Sequence, residues 1–385
     1  MKARLALVAT GVLVAVLAGC SHNTTKKKND KPVKLQPIHA RFEPRKAWSA
    51  SMGGGLPKLE LGLSPAIDGG HVYAAGAKGE VRAFDLATGR GLWQQQLKKL
   101  RLSAGPGVGQ GLVVVGSSGG ALVALDAANG AQRWRVQLNS ELLSAPAVGG
   151  GLVVVRTVDG KLVGLEAKDG TQRWVVDQQV PRLTLRGTAR PVLAGDMAIA
   201  GFDNGRMMAV SLASGNTAWD IPIGQPRGSS ELQRLIDADA PPVVDGDDVF
   251  AVTFNGRAVR VARETGHEQW THDISSYRGL AVDADAVYVA TGSDEIVRLD
   301  RSSGAQVWKQ AALERRALGA PVLQGGYVVT CDIQGVIHWL DRSDGTFVAR
   351  AKGGARISNA PVASGPYLVV QTDKGQLEAW RTPGG

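Results

Sequence analysis

The sequence predicts an all-β protein, an eight-bladed β-propeller built from four-stranded antiparallel blades. A glycine followed four residues later by a tryptophan recurs along the chain, and successive tryptophans of this set lie 41, 40, 45, 51 and 38 residues apart. Each interval also contains short apolar runs that are separated by turn residues such as Asp-Gly. A period of about 40 residues with four strands in each unit is typical of propeller blades.

Residues 144–174 contain one complete unit. A short apolar piece and a glycine turn precede residues 152–155, whose β-branched composition suits a buried strand. The next strand alternates and ends at Asp169-Gly170, where glycine supplies the positive φ that a tight hairpin turn requires. Trp174 lies on the fourth strand.

The unit recurs through the glycine and tryptophan pairs Gly89/Trp93, Gly130/Trp134, Gly170/Trp174, Gly215/Trp219, Gly266/Trp270 and Gly304/Trp308. Two further units begin at Pro321, with Ala349 at the tryptophan position, and at Pro361, where the unit stops after its third strand. Trp48 lies upstream in the context of an outer strand, so we expect the N-terminal segment to complete the last blade and close the ring. Closure removes exposed sheet edges. The predicted blades cover residues 61–100, 101–141, 142–186, 187–236, 237–274, 275–315, 316–355 and 356–381 with 44–52.

Recurring polar residues belong to the repeat and not to a catalytic set. Asp85, Asp126, Asp300 and Asp341 each stand four residues before a turn glycine, where a short carboxylate can accept bonds from the N–H groups of the turn. The repeated tryptophan is expected to stack across the neighbouring blade. Cys331 lies in an apolar strand pattern, which predicts a buried and inert thiol.

The N-terminus has the pattern of a secretory signal. Lys2 and Arg4 precede an apolar run over residues 5–18, which is too short to span a bilayer. Leu17-Ala18-Gly19-Cys20 resembles the bacterial lipobox, which implies cleavage before Cys20, acylation of its thiol and, with serine next, an outer-membrane lipoprotein on the periplasmic side. An ordinary signal peptide with a coincidental cysteine is the alternative. The predicted organisation is a signal peptide over residues 1–19, a lipidated flexible tether over 20–43 and the propeller over 44–381.

The formal charge is +9 over 385 residues. A diffuse excess of this size fits a solubilising surface or an attraction to anionic membranes, and no nucleic-acid partner is predicted. The six histidines show no metal-ligand spacing, so neither a metal nor a cofactor is predicted.

Two connections between blades are enlarged. From the tryptophan to the opening proline of the next unit, three links count 12 or 13 residues, whereas Trp174 to Pro191 counts 17 and Trp219 to Pro242 counts 23. Both cross the same face on neighbouring blades, which is where binding surfaces usually lie. The first loop brackets Leu183 and Leu185 with arginines, a combination suited to anchoring a protein partner. In the alternative, both leucines pack beneath their own loop, and Arg186 bonds to Asp237 or Asp239.

The lipobox, the blade repeat and the loop sequences at residues 183–187 and 234–239 together resemble the BamB family of outer membrane protein assembly factors. The resemblance covers the whole mature chain, and the two loops are its most specific part. It implies a non-catalytic scaffold that binds the periplasmic POTRA domains of the barrel subunit BamA and assists insertion of outer-membrane proteins. Other lipoproteins of the complex would be indirect partners, and nascent outer-membrane proteins are candidate ones. The family's interaction residues correspond here to Leu183, Leu185, Arg186, Asp237 and Asp239.

Two other classes share the repeat or the compartment. The blades resemble those of quinoprotein dehydrogenases, which bind a quinone and Ca²⁺ at the propeller axis, but this sequence lacks their vicinal cysteine pair. A periplasmic propeller that binds cell-wall glycan is the third possibility. Aromatic loop residues would favour glycan, whereas these loops contain Leu, Arg and Asp.

Overall fold

The computed structural model describes residues 31–55, 62–185, 187, 189–225, 229–230 and 234–382. The chain divides into two units, Met1–Pro32 and Val33–Gly385, and every strand among the described residues lies in the second. The strands form eight four-stranded antiparallel sheets, which are the blades of a β-propeller. The eight-bladed fold predicted by the repeat is therefore confirmed.

The first four blades follow one another in chain order. They contain β2 (Ala66–Asp68), β3 (His71–Ala75), β4 (Glu80–Asp85) and β5 (Gly91–Gln96); β6 (Leu102–Gly109), β7 (Leu112–Ser117), β8 (Ala121–Asp126) and β9 (Gln132–Gln137); β10 (Ala147–Gly149), β11 (Leu152–Arg156), β12 (Lys161–Glu166) and β13 (Gln172–Asp177); and β14 (Val192–Ala194), β15 (Met197–Gly201), β16 (Arg206–Ser211) and β17 (Thr217–Pro222).

The last four blades repeat the arrangement, and the eighth takes its outer strand from the N-terminal segment. They contain β18 (Val243–Asp245), β19 (Asp248–Val252), β20 (Arg257–Ala262) and β21 (Glu268–Asp273); β22 (Gly279–Val282), β23 (Ala286–Ala290), β24 (Ile296–Asp300) and β25 (Gln306–Gln310); β26 (Val322–Gln324), β27 (Tyr327–Cys331), β28 (Val336–Asp341) and β29 (Phe347–Lys352); and β30 (Val362–Ser364), β31 (Tyr367–Gln371), β32 (Gln376–Arg381) and β1 (Arg45–Ser51).

The ring closes as the sequence predicts. β1 pairs antiparallel with β32, with Arg45 opposite Arg381 and Ser51 opposite Gln376. The second and third strands of the blades are almost wholly buried, and the core lies between neighbouring blades, where clusters of Val, Leu and Ala from adjacent sheets meet. Cys331 is fully buried, and burial raises the pKa of its thiol.

The repeated tryptophans join each blade to the next. Trp174 is buried, and its indole N–H donates to the carbonyl oxygen of Leu212 in the following blade at 2.8 Å. Trp48, Trp93, Trp134, Trp219, Trp270 and Trp308 make the equivalent bond. Ala349 interrupts the series because Trp339 lies directly opposite it in the sheet and is itself fully buried.

Gly215 tests this packing. Its φ is +73°, and a Cβ there would lie 2.7 Å from Trp174, whereas Gly195 in the same blade has a φ of +61° with nothing within 4 Å of its Cβ position. Gly195→Ala should therefore cost only the backbone strain, about 1 kcal/mol, while Gly215→Ala should cost about 2–4 kcal/mol because the methyl group also displaces the tryptophan. Urea denaturation of both variants checks this, and equal costs would contradict the packing role.

Part of the predicted tether packs against the ring. The N-terminal strap (residues 33–43) crosses the outer side of the seventh blade, where the N–H of Val33 donates to Glu314 O at 3.2 Å and the N–H of Arg41 donates to Val348 O at 2.8 Å. Arg316 also donates to the Val33 carbonyl at 2.8 Å, and the Phe42 ring lies 5.0 Å from that of Tyr327. The strap therefore belongs with the propeller. Cys20 and the predicted signal peptide lie outside the described residues.

Among the described residues, no helix has the length and apolar content needed to cross a bilayer.

Candidate partner-binding surface

The two enlarged connections lie on one face of the ring. Within each blade, the turn between the second and third strands and the connection to the next blade fall on the same side, because antiparallel strands alternate in direction. The described residues of segments 178–191 (the first loop) and 223–242 (the second loop) therefore flank the fourth blade on this side, which we call the loop face. The side-by-side placement predicted from the sequence is confirmed.

Apolar groups of the first loop remain exposed to solvent. Leu183 keeps 43% of its surface exposed and Val180 keeps 37%, although most large apolar side chains of the ring are buried. Leu183 borders a groove of about 360 Å³ that runs between the two loops and is also lined by Arg182, Arg234 and Ile236. An exposed leucine beside arginines suits a protein partner with apolar and acidic groups. Leu183 therefore does not pack beneath its own loop.

Leu185 and Asp237 connect the two loops. The backbone N–H of Leu185 donates to the Asp237 carboxylate at 3.0 Å, and this carboxylate is fully buried. The second loop is fixed from below, because the N–H of Phe254 donates to the carbonyl of Asp237 at 2.8 Å. Gly187 allows close approach, since a Cβ there would lie 2.6 Å from Asp239. Asp237 thus holds the first loop in place.

A buried arginine lies beneath these contacts. Arg156 ends β11 in the third blade, has no exposed surface and forms an ion pair with Asp203 of the fourth blade. Its guanidinium carbon lies 5.0 Å from the centre of the Phe202 ring. Oxygens of Asp203, Asp237 and Asp239 all lie within 4.8 Å of one another. Three blades and both loops therefore meet at one charged cluster, which we call the carboxylate cluster (Asp203, Asp237 and Asp239).

The carboxylate cluster brings three acidic groups beside one buried arginine within the described part of the chain. Burial, together with the carboxylates of Asp239 and Asp203, raises the pKa of Asp237 well above its ordinary value. Burial also raises the pKa of Asp239, and Arg156 opposes that rise. Three carboxylates could ligate a cation, but the Arg156 guanidinium already supplies a positive charge at this position. The arrangement can act as a buried support for the two loops.

The structure places the predicted residues at different depths. Leu183 is exposed, Leu185 is half-buried, Asp239 lines the central channel and Asp237 is enclosed; Arg186 lies outside the described residues. The residues predicted from the sequence did not include Asp203 or Arg156. One signal could have identified Arg156, because it ends the apolar run Leu-Val-Val-Val, where a charged residue needs a buried partner.

Comparisons with known proteins identify the family. The family profile described as "Outer membrane protein assembly factor BamB" matches residues 43–101, 77–310 and 293–382. A BamB of Pseudomonas aeruginosa is 40% identical over 371 residues, covering 96% of this chain and 96% of that protein. The crystal structure of BamB from Moraxella catarrhalis superimposes with a TM-score of 0.80 at 28% identity, covering 88% of this chain and 99% of that one.

A quinohemoprotein alcohol dehydrogenase from Comamonas testosteroni superimposes with a TM-score of 0.70 at 12% identity, covering 88% of this chain and 76% of that one. At that identity the likeness concerns the fold alone. The BamB of Pseudomonas aeruginosa, by contrast, is 40% identical to this chain over nearly the full length of both proteins. The chain therefore belongs to the BamB family of outer membrane protein assembly factors.

Proposed function

We propose that this protein is a non-catalytic scaffold of outer-membrane protein assembly, and that its loop face binds the periplasmic POTRA domains of a BamA-like barrel subunit. Family membership supports the assembly role, because the matched relatives are named assembly factors and not enzymes. The observation that carries the binding proposal is the exposed Leu183 beside the groove between the two loops.

The predicted interface residues have two roles in this proposal. Leu183 contacts the partner directly, with Arg182 and Arg234 at the edges of the groove offering charge to acidic groups. Asp237 is enclosed, so it acts through Leu185 by fixing the backbone of the first loop. Asp239 supports the same loop beside Gly187. A loop that is fixed before binding loses less conformational entropy when the partner docks.

The protein is proposed to work at the periplasmic side of the outer membrane, held there by acyl chains on Cys20. The lipobox-like sequence before Cys20 supports this anchoring. Other lipoproteins of the complex would then be neighbours without direct contact, and nascent outer-membrane proteins would pass close to the ring.

Site-specific photocrosslinking tests the assignment of the face. A photoreactive amino acid at position 183 should crosslink to the POTRA domains of the barrel subunit in intact cells, because Leu183 projects from the loop face. Position 307 on β25 is the matched control, since Val307 is also exposed, at 50%, and lies on an outer strand. Crosslinks to the barrel subunit from position 307 and none from position 183 would overturn the proposal.

A further inference from the structure

The central channel is lined at one level by a ring of equivalent residues. In each blade, a short turn joins the inner strand to the second strand. We compare the residue that stands four positions before the last paired residue of each inner strand, because these residues lie at the same level of the channel. Arg190 holds this position in the fourth blade. Its counterparts in five other blades line the same cavity and are small or apolar: Ser64, Ala145, Pro241, Ala320 and Ala360. In the second blade the counterpart is Gly105, and in the sixth blade it is Arg278, which also lines the cavity.

Arg190 and Arg278 are therefore the two charged residues at these equivalent positions, where the other six blades have glycine or a small or apolar residue. The cavity at this level has a volume of about 480 Å³, and Arg190 also borders a second cavity of about 380 Å³ further along the channel. Its side chain remains exposed to water. The protein atoms around the guanidinium nevertheless exclude part of its hydration shell, and this desolvation lowers its pKa.

Arg190 has no ion-pair or hydrogen-bond partner among the described residues. Elsewhere in the ring, enclosed arginines are paired, as Arg156 is with Asp203 and Arg316 with Asp332. A guanidinium has five donors in a planar fork that match two oxygens of a carboxylate or a phosphate. Because Arg190 is exposed in the channel and has no partner among the described residues, its donors are available to a ligand that supplies those oxygens.

Other groups at this level favour an anion. Arg278 lines the same cavity, with its guanidinium carbon 4.3 Å from the centre of the Tyr277 ring. The Ser64 hydroxyl also lines it and has no partner within the described part of the chain. Among the described lining residues, Asp239 is the single carboxylate, against two guanidinium groups. The described lining is therefore positive overall.

We propose that the axial channel is a binding site for a small oxyanion, a carboxylate or a phosphate, which is held by Arg190. The volume accommodates an anion of a few heavy atoms, such as phosphate or a short dicarboxylate. The site lies on the axis and uses none of the groove residues that are proposed to contact the barrel subunit.

Calorimetric titration of the full mature chain in detergent tests the proposal, with inorganic phosphate and succinate as separate probes and the ionic strength held constant with sodium chloride. We expect saturable binding of at least one probe to the wild type, and the stronger probe identifies which oxyanion the site prefers. Arg190→Ala should weaken that binding at least about tenfold, because a charge-assisted pair is lost. Arg190→Lys should recover part of it, since the charge remains and the planar fork is lost.

Arg135→Ala is the matched control. Arg135 lies exposed on β9, so its replacement removes the same charge away from the channel and should change the affinity less than about twofold. Leu183→Asp should also leave oxyanion binding intact, which separates this site from the proposed protein interface. The inference is overturned if the wild type binds neither probe, or if Arg190→Ala and Arg135→Ala weaken binding equally.

Discussion

Replacing Arg156 by methionine is expected to lower the free energy of unfolding by about 3–5 kcal/mol. The arginine has no exposed surface and is the ion-pair partner of Asp203, so its loss leaves buried carboxylates without their compensating charge. Methionine keeps most of the volume, and the effect therefore reports charge more than packing. Urea denaturation measures it, and Arg135→Met is the control because Arg135 lies exposed on an outer strand.

The effect of Arg156→Met should grow with pH. Asp237 and Asp239 have folded-state pKa values above their ordinary values, so the folded protein holds protons that the unfolded chain has released. Stability from these groups is therefore present below about pH 4, the unfolded value, and falls as the pH rises through the raised folded values. Without Arg156 the folded values rise further, and the loss deepens towards neutral pH.

Two results would contradict this account of the carboxylate cluster. A cost for Arg156→Met no larger than that of the Arg135 control would show that the ion pair does not support the fold. If the loss of unfolding free energy in Arg156→Met became smaller as the pH rises, the carboxylates would not be the groups left without a compensating charge. Adding Asp203→Asn to Arg156→Met should restore part of the lost stability, since it removes one of the buried charges.

The repeat made most of the fold predictable. A propeller blade is a local unit, so the spacing of Trp93, Trp134 and their counterparts, together with Asp-Gly turns, fixes the strands without long-range information. Ring closure could also be predicted, because the eighth unit lacks an outer strand and Trp48 lies in the context of one. The packing of the strap was not predicted. The strap is mostly polar, so its sequence did not indicate the few contacts that anchor it, such as that of Phe42 with Tyr327.

The candidate site was only partly predictable for the opposite reason. Loop lengths indicated the face, but the partners of Asp237 come from three different blades, and no sequence spacing relates Arg156 of one blade to Asp203 of the next. An aspartate in a polar loop is ordinarily expected to be exposed. Asp237 is fully buried because the ring brings the first loop into contact with it, through the N–H of Leu185.

Replacing Leu183 by aspartate is expected to weaken binding of the barrel subunit's POTRA domains by about 2–4 kcal/mol, or roughly 30- to 1000-fold. The side chain is exposed before binding, so the substitution should change the stability of the free protein by less than about 0.5 kcal/mol. In the complex, a carboxylate would replace an apolar anchor and lose its hydration without a partner. The equilibrium dissociation constant against the isolated POTRA domains is the quantity to measure.

Val307→Asp is the matched control, because it places the same charge on an exposed apolar residue of an outer strand. The most direct test of the loop face is to titrate the POTRA domains against the wild type, Leu183→Asp and Val307→Asp under one set of conditions. We expect the wild type and Val307→Asp to bind with equal affinity, and Leu183→Asp to bind at least about 30-fold more weakly. Unchanged binding by Leu183→Asp, or an equal loss in both variants, would contradict it.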